Sequence, residues 1–175
     1  MKNFLRLSAA AAALTVVFSA SLSEVSAQAT ATATASATIV TPIAISKTAD
    51  MNFGNVAVHA INPGTVAMSA AAVRSITGGV TLPATTGTVS AASFTVSGQG
   101  NYTYAITLPS TTVTIANGAI TMDVHSFTSS PSSTGTLSAG GTDILTVGAT
   151  LDVAGGQAAG TYTSATPFSV TVNYN

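Results

Sequence analysis

The clearest pattern in the chain is a period of two. From Ala29 to Ile45 the odd positions are Ala29, Ala31, Ala33, Ala35, Ala37, Ile39, Thr41, Ile43 and Ile45, and the positions between are mostly Thr and Ser. Alternate residues of a strand point to opposite faces, so this stretch predicts a strand with a small-residue face and a hydroxyl face. Pro42 cannot donate to a ladder and divides it into 29–41 and 43–47. The far end of the chain alternates too: Phe168, Val170, Val172 and Tyr174 face one way, and Ser169, Thr171 and Asn173 the other.

Between these lie short apolar runs that predict strands over 51–58, 65–69, 73–76, 92–97, 102–108, 112–115, 120–127, 134–137 and 144–153, with the last over 167–174. Breakers separate them, among them Asn62-Pro63-Gly64, Gly78-Gly79, Gly140-Gly141 and Gly155-Gly156. Asn117-Gly118 predicts a tight hairpin of type I′, which takes positive φ at both central residues. No helical period runs through residues 28–175. Short strands at this spacing predict an antiparallel β-sandwich, immunoglobulin-like or pilin-like, of roughly seven to nine strands. Its expected core is Ile43, Ile45, Phe53, Val56, Phe94, Val96, Tyr104, Ile106, Val124, Leu145, Val147, Leu151, Phe168, Val170 and Val172.

The first residues break the pattern. Lys2 and Arg6 precede an apolar run over 7–22, and Val25-Ser26-Ala27 follows it. A positive start, a short apolar run and a small-x-small site predict a signal peptide cleaved after Ala27. The run is shorter than the ~20 residues of a spanning helix, and no later run reaches that length. The expected organisation is a signal peptide over 1–27, an Ala/Thr-rich strand or extension over 28–41, and a sandwich over 42–175. The expected location is outside the cytoplasm: periplasm, cell surface or medium.

Charge then removes function classes. The chain carries 4 Lys or Arg against 5 Asp or Glu, and it has no Cys. No basic patch exists to neutralise phosphates, so nucleic acid is not an expected partner. No disulfide supports the fold, but 148 residues from Gln28 suffice for a core without one.

Several stretches resemble a known family. They are Met51-Asn52-Phe53-Gly54-Asn55-Val56, Pro63-Gly64-Thr65-Val66, Ala92 to Gly98, Tyr104 to Pro109, Val147 to Leu151, Gly160-Thr161-Tyr162 and Val170 to Tyr174. They are similar to secreted bacterial proteins catalogued as domain of unknown function four-four-zero-two. The Phe-Gly motif and the Gly-x-Tyr…Val-Thr-Val-x-Tyr ending also look, more loosely, like spore coat U and fimbrial subunits. That second likeness implies an incomplete sandwich finished by a strand from another subunit, with an assembly chaperone docking at the last strand. The Cys pair of many such proteins is missing here.

Catalytic and metal chemistry is sparse. Asp123 and His125 share a strand face, with His59 and Asp50 as possible companions, but a zinc site takes three or four protein ligands at motif spacing. No Gly-x-Ser-x-Gly elbow, phosphate loop or calcium loop occurs. No catalytic, metal or cofactor-binding residue is assigned, no cofactor is expected, and the chain reads as a non-enzyme. The expected interaction residues are those of the two assembly strands: Ala31, Ala33, Ala35, Ala37 and Ile39, and Phe168, Val170, Val172 and Tyr174. Their expected partners are further copies of the chain or a periplasmic chaperone. Two alternatives stand beside this: a flexible leader over 29–39 ahead of a monomeric domain that binds carbohydrate or protein through its loops, and a small outer-membrane barrel. The barrel has the length for eight strands but few aromatics for its girdles.

Overall fold

The computed structural model describes residues 28–175. The proposed signal peptide lies outside the described residues. Two compact units divide the chain, Met1–Thr38 and Ile39–Asn175. In the first, residues 28–38 are exposed and carry no regular secondary structure.

The second unit is all-β, with no helix. Its strands are β1 (Ala44–Ala49), β2 (Ala57–Val58), β3 (Gly64–Met68), β4 (Arg74–Gly78), β5 (Val80–Thr81), β6 (Ala92–Ser97), β7 (Thr103–Thr107), β8 (Val113–Asn117), β9 (Ile120–Ser130), β10 (Thr134–Thr136), β11 (Thr142–Val153), β12 (Thr163–Ser164) and β13 (Thr171–Tyr174). This exceeds the expected seven to nine by four very short strands, β2, β5, β10 and β12, of two or three residues each. The main sheet runs β1-β6-β11-β9-β8-β12, with β3 and β4 branching from β11. A second sheet runs β10-β7-β13, and β2 pairs with β5. Every pairing is antiparallel. Both sheets end on open edges, so the described strands form a sandwich and not a closed barrel.

Strand β11 organises the whole domain. Its inward residues Leu145, Val147, Ala149, Leu151 and Val153 are all buried. On one side its first half pairs with β6 and its second half with β3. The same inward face therefore serves two cores. Leu145 and Val147 pack with Ala92, Val96, Tyr104, Leu137 and Val172, which joins the two sheets. Ala149, Leu151 and Val153 pack with Phe53, Val66, Met68, Val80 and Val124. Each large aliphatic buried in this way stabilises the fold by ~1.5–3 kcal/mol. Of the expected core, Phe53, Val96, Tyr104, Val124, Leu145, Val147, Leu151 and Val172 are buried. Ile43, Ile45, Val56, Phe94, Ile106, Phe168 and Val170 are half-buried at its margins.

Two local corrections have physical causes. The hairpin joining β8 and β9 pairs Asn117 with Ile120, so its central residues are Gly118 and Ala119. Only Gly118 has positive φ, at 61°. Glycine at the first central position marks a type II′ turn, not the type I′ expected from Asn117-Gly118. Strand β9 carries a bulge: Thr150 faces His125 while Gly148 faces Thr128, leaving Ser126 and Phe127 opposite Ala149. The extra residue reverses the alternation, so Met122 and Val124 face inward before it and Phe127 after it.

Tyr104 on β7 is fully buried. Its ring lies against Gly135, where a Cβ would overlap the phenol. Its hydroxyl donates to Asp143 Oδ2 at 2.8 Å. Burial, reinforced by the hydrogen bond and charge of Asp143, pushes the phenol far above its ordinary 10.0. A raised value favours the neutral form in the fold. That stabilisation is complete below pH 10 and is lost as pH rises beyond it. In an alkaline titration followed by phenolate absorbance, one tyrosine is expected to stay neutral above pH 10 until the domain unfolds, and Tyr104→Phe to remove that late step. Joint ionisation of all four tyrosines in the folded state would count against it.

Candidate functional site

The residues proposed for assembly fall into two groups. Ala31, Ala33, Ala35 and Ala37 are exposed and belong to no strand, and Ile39 is 92% exposed. The strand expected over 29–41 is therefore not formed in the single chain. Alanine faces bury little apolar area, so nothing local holds this segment in a sheet.

The terminal group is only partly a strand. The ladder of β13 begins at Thr171 and pairs Thr171, Val172, Asn173 and Tyr174 with Thr107 to Tyr104 of β7. Phe168 and Val170 precede it, half-buried against the core that contains Val172. Phe168 meets Phe127 with ring centroids 5.0 Å apart.

An unpaired seam is the main feature of this region. Strand β1 pairs only with β6, and β13 pairs only with β7. Residues of the two strands come within 8 Å of one another in Cα distance, yet no ladder joins them. Ile43, Ile45, Val170 and Tyr174 pack there against the core and remain half exposed.

One end of the seam is tied. Tyr174 Oη donates to the Thr41 carbonyl at 2.7 Å and accepts from the Gln99 backbone N–H at 2.6 Å. Gln99 Oε1 accepts from Thr41 N and Oγ1, each at 3.3 Å. Gly98 lets the phenol approach, because a Cβ there would overlap its oxygen. Tyr102 meets the Tyr174 ring edge-on at 5.7 Å. Alternation marks Tyr174 in the sequence, but nothing local marks Thr41 or Gln99. These two are far from Tyr174 in the chain and carry no motif.

The ionisable residues are otherwise engaged. His59 Nδ1 accepts from the N–H groups of Ile61 and Asn62, both at 3.2 Å, and so caps its own turn. Lys47 and Asp50 form an exposed ion pair. Asp123 accepts from Thr114 at 3.1 Å. His125 lies 3.1 Å from Asp152 through Nε2 and 2.8 Å from Ser126 Oγ through Nδ1. Ser126 has φ of 52° at the bulge, which brings two sequence neighbours to one side of β9. These contacts tie the bulge to β11. Among the described residues, no group of three or more His, Asp or Glu is placed to hold a metal ion. Nor is any helix there long and apolar enough to cross a membrane. An open groove of mixed lining near the bulge is formed by Pro63, Thr65, Thr77, Met122, Asp123, Asp152, Val153, Ala154 and Gln157.

Comparison with known proteins gives a family match. A family model described as a domain of unknown function (DUF4402) covers residues 43–174. No curated protein and no solved structure matches the chain. The matched span runs from the lead into β1 to the end of β13 and takes in both edges of the seam, so the chain belongs to the DUF4402 family.

Proposed function

We propose that this protein is an exported, non-enzymatic structural subunit that assembles at the cell surface by strand addition. The supporting observation is the pairing of two incomplete features in one chain. Residues 29–39 alternate like a strand but have no sheet to join. Strands β1 and β13 have edges with no strand between them. Exposed edges template pairing with another chain, and an added strand is held chiefly by its backbone hydrogen bonds. Alanines at alternate positions suit such a strand because they pack where a groove is narrow. In this reading residues 29–39 of one copy complete the sandwich of the next, and a periplasmic chaperone protects the edge before assembly. The resemblance to fimbrial and coat subunits agrees with it.

Deleting residues 28–38 tests the reading. The Ile39–Asn175 unit has its own cores, so circular dichroism is expected to remain that of a β protein, while multimers disappear in light scattering and native mass spectrometry. Unfolding would place the segment in its own domain. Unchanged association would make it a leader. The open groove that holds Asp123, Asp152 and Gln157 beside Met122 and Val153 then favours the second reading, a monomeric domain that binds carbohydrate or protein.

A further inference from the structure

We infer that Tyr174 is a latch that keeps the seam shut, and that its release admits the added strand; this rests on the strand-addition reading. Neighbouring strands lie about 4.8 Å apart, so an interposed strand needs its two flanking edges about 9.6 Å apart. Strands β1 and β13 approach within 8 Å. The seam is thus too narrow at its closest point and has to widen before a strand can pair with both edges.

Tyr174 opposes that widening. It is a residue of β13, and its phenol oxygen bonds the Thr41 carbonyl on the lead into β1. It also takes the Gln99 N–H from the turn after β6. Gln99 holds the same Thr41 from the other side with its side-chain oxygen. One hydroxyl therefore links the edge of one sheet to the edge of the other. Separating the edges breaks the Thr41 bond. The occupant that opens the seam is residues 29–39 of a second copy, which can replace lost side-chain bonds with a backbone ladder on each side.

The latch is testable by removing one oxygen. Tyr174→Phe keeps the ring against Tyr102 and under Gly98 but loses both hydroxyl bonds. A labelled synthetic peptide copying residues 29–40 is mixed with the purified protein, and its association rate is read by fluorescence anisotropy. Tyr174→Phe is expected to bind about tenfold faster than wild type, the change that about 1.4 kcal/mol produces. That is the size of one or two hydrogen bonds. Gln99→Ala leaves the phenol in place and removes only the bonds to Oε1, so a smaller acceleration is expected; it also serves if Tyr174→Phe folds poorly. Equal or slower binding by both variants, with wild type binding, would overturn the latch and leave strand addition standing. Binding by none of the three would overturn strand addition, and the latch with it.

Discussion

Replacing Gly148 by Val is expected to prevent folding, and Gly148→Ala to cost about 3 kcal/mol, the upper end for overpacking by one methyl group. Gly148 is buried at the point where β11 passes from its ladder with β6 to its ladder with β3. The chain leaving β3 crosses it there. A Cβ on residue 148 would overlap the Met68 carbonyl oxygen and the carbonyl carbon of Ser69. These are backbone atoms, and no rotamer change moves them aside. Relief would require sliding β3 away from β11, which opens the core around Val66, Met68 and Leu151. The control is Gly140→Ala, at a position whose nearest atom to a new Cβ is Ser138 Oγ at 3.7 Å. That substitution is expected to change stability by no more than about 0.5 kcal/mol. Urea denaturation of the two alanine variants measures the contrast. Similar midpoints would show that β3 can shift at no cost.

Tyr104→Ala is expected to lower stability by about 3–5 kcal/mol, as for truncation of other buried aromatics. For a domain of this size each kcal/mol corresponds to about 2–4 °C in Tm. The loss has two parts. The ring fills the space beside Gly135 and helps join the two sheets with Leu137, Leu145 and Val172. Its hydroxyl also supplies a donor to Asp143, whose other oxygen takes the Ile144 N–H. Tyr104→Phe keeps the first part and loses the second, so it is expected to cost only about 1 kcal/mol. Calorimetry of the pair separates packing from hydrogen bonding. Equal losses would mean that the Asp143 contact, not the ring, holds the sheets together.

Alternation alone determined that this chain is a sheet protein. The 92–97 run forms over the residues expected, and the strong 144–153 pattern lies within β11. Period two is a local property, because consecutive side chains must face opposite sides of a strand whatever lies beyond them. Turn chemistry between Ile115 and Ile120 was equally local, and it found the hairpin, although the pairing register decided which residues occupy the turn.

Tertiary structure decided the rest. Val66, Met68, Val80 and Leu137 are buried because of which strands become neighbours, whereas along β11 alternation alone separates buried Ala149 and Val153 from Ile144, which is 66% exposed on the outer face. The bulge at Ser126 reverses the facing of β9 and is fixed by pairing with β11. The strand expected over 29–41 shows the limit most clearly. Its alternation is as regular as that of any strand in the chain, but a strand also needs an edge to bond and apolar area to bury, and its alanines bring little of the second. Likewise Thr41, Gln99 and Tyr174 meet only because the sandwich brings the lead of its first strand, the turn after β6 and its last strand to one end. Local sequence fixes which way a side chain points along a strand; which strands share an edge depends on closing loops across the whole chain, and that depends on the summed burial of both cores.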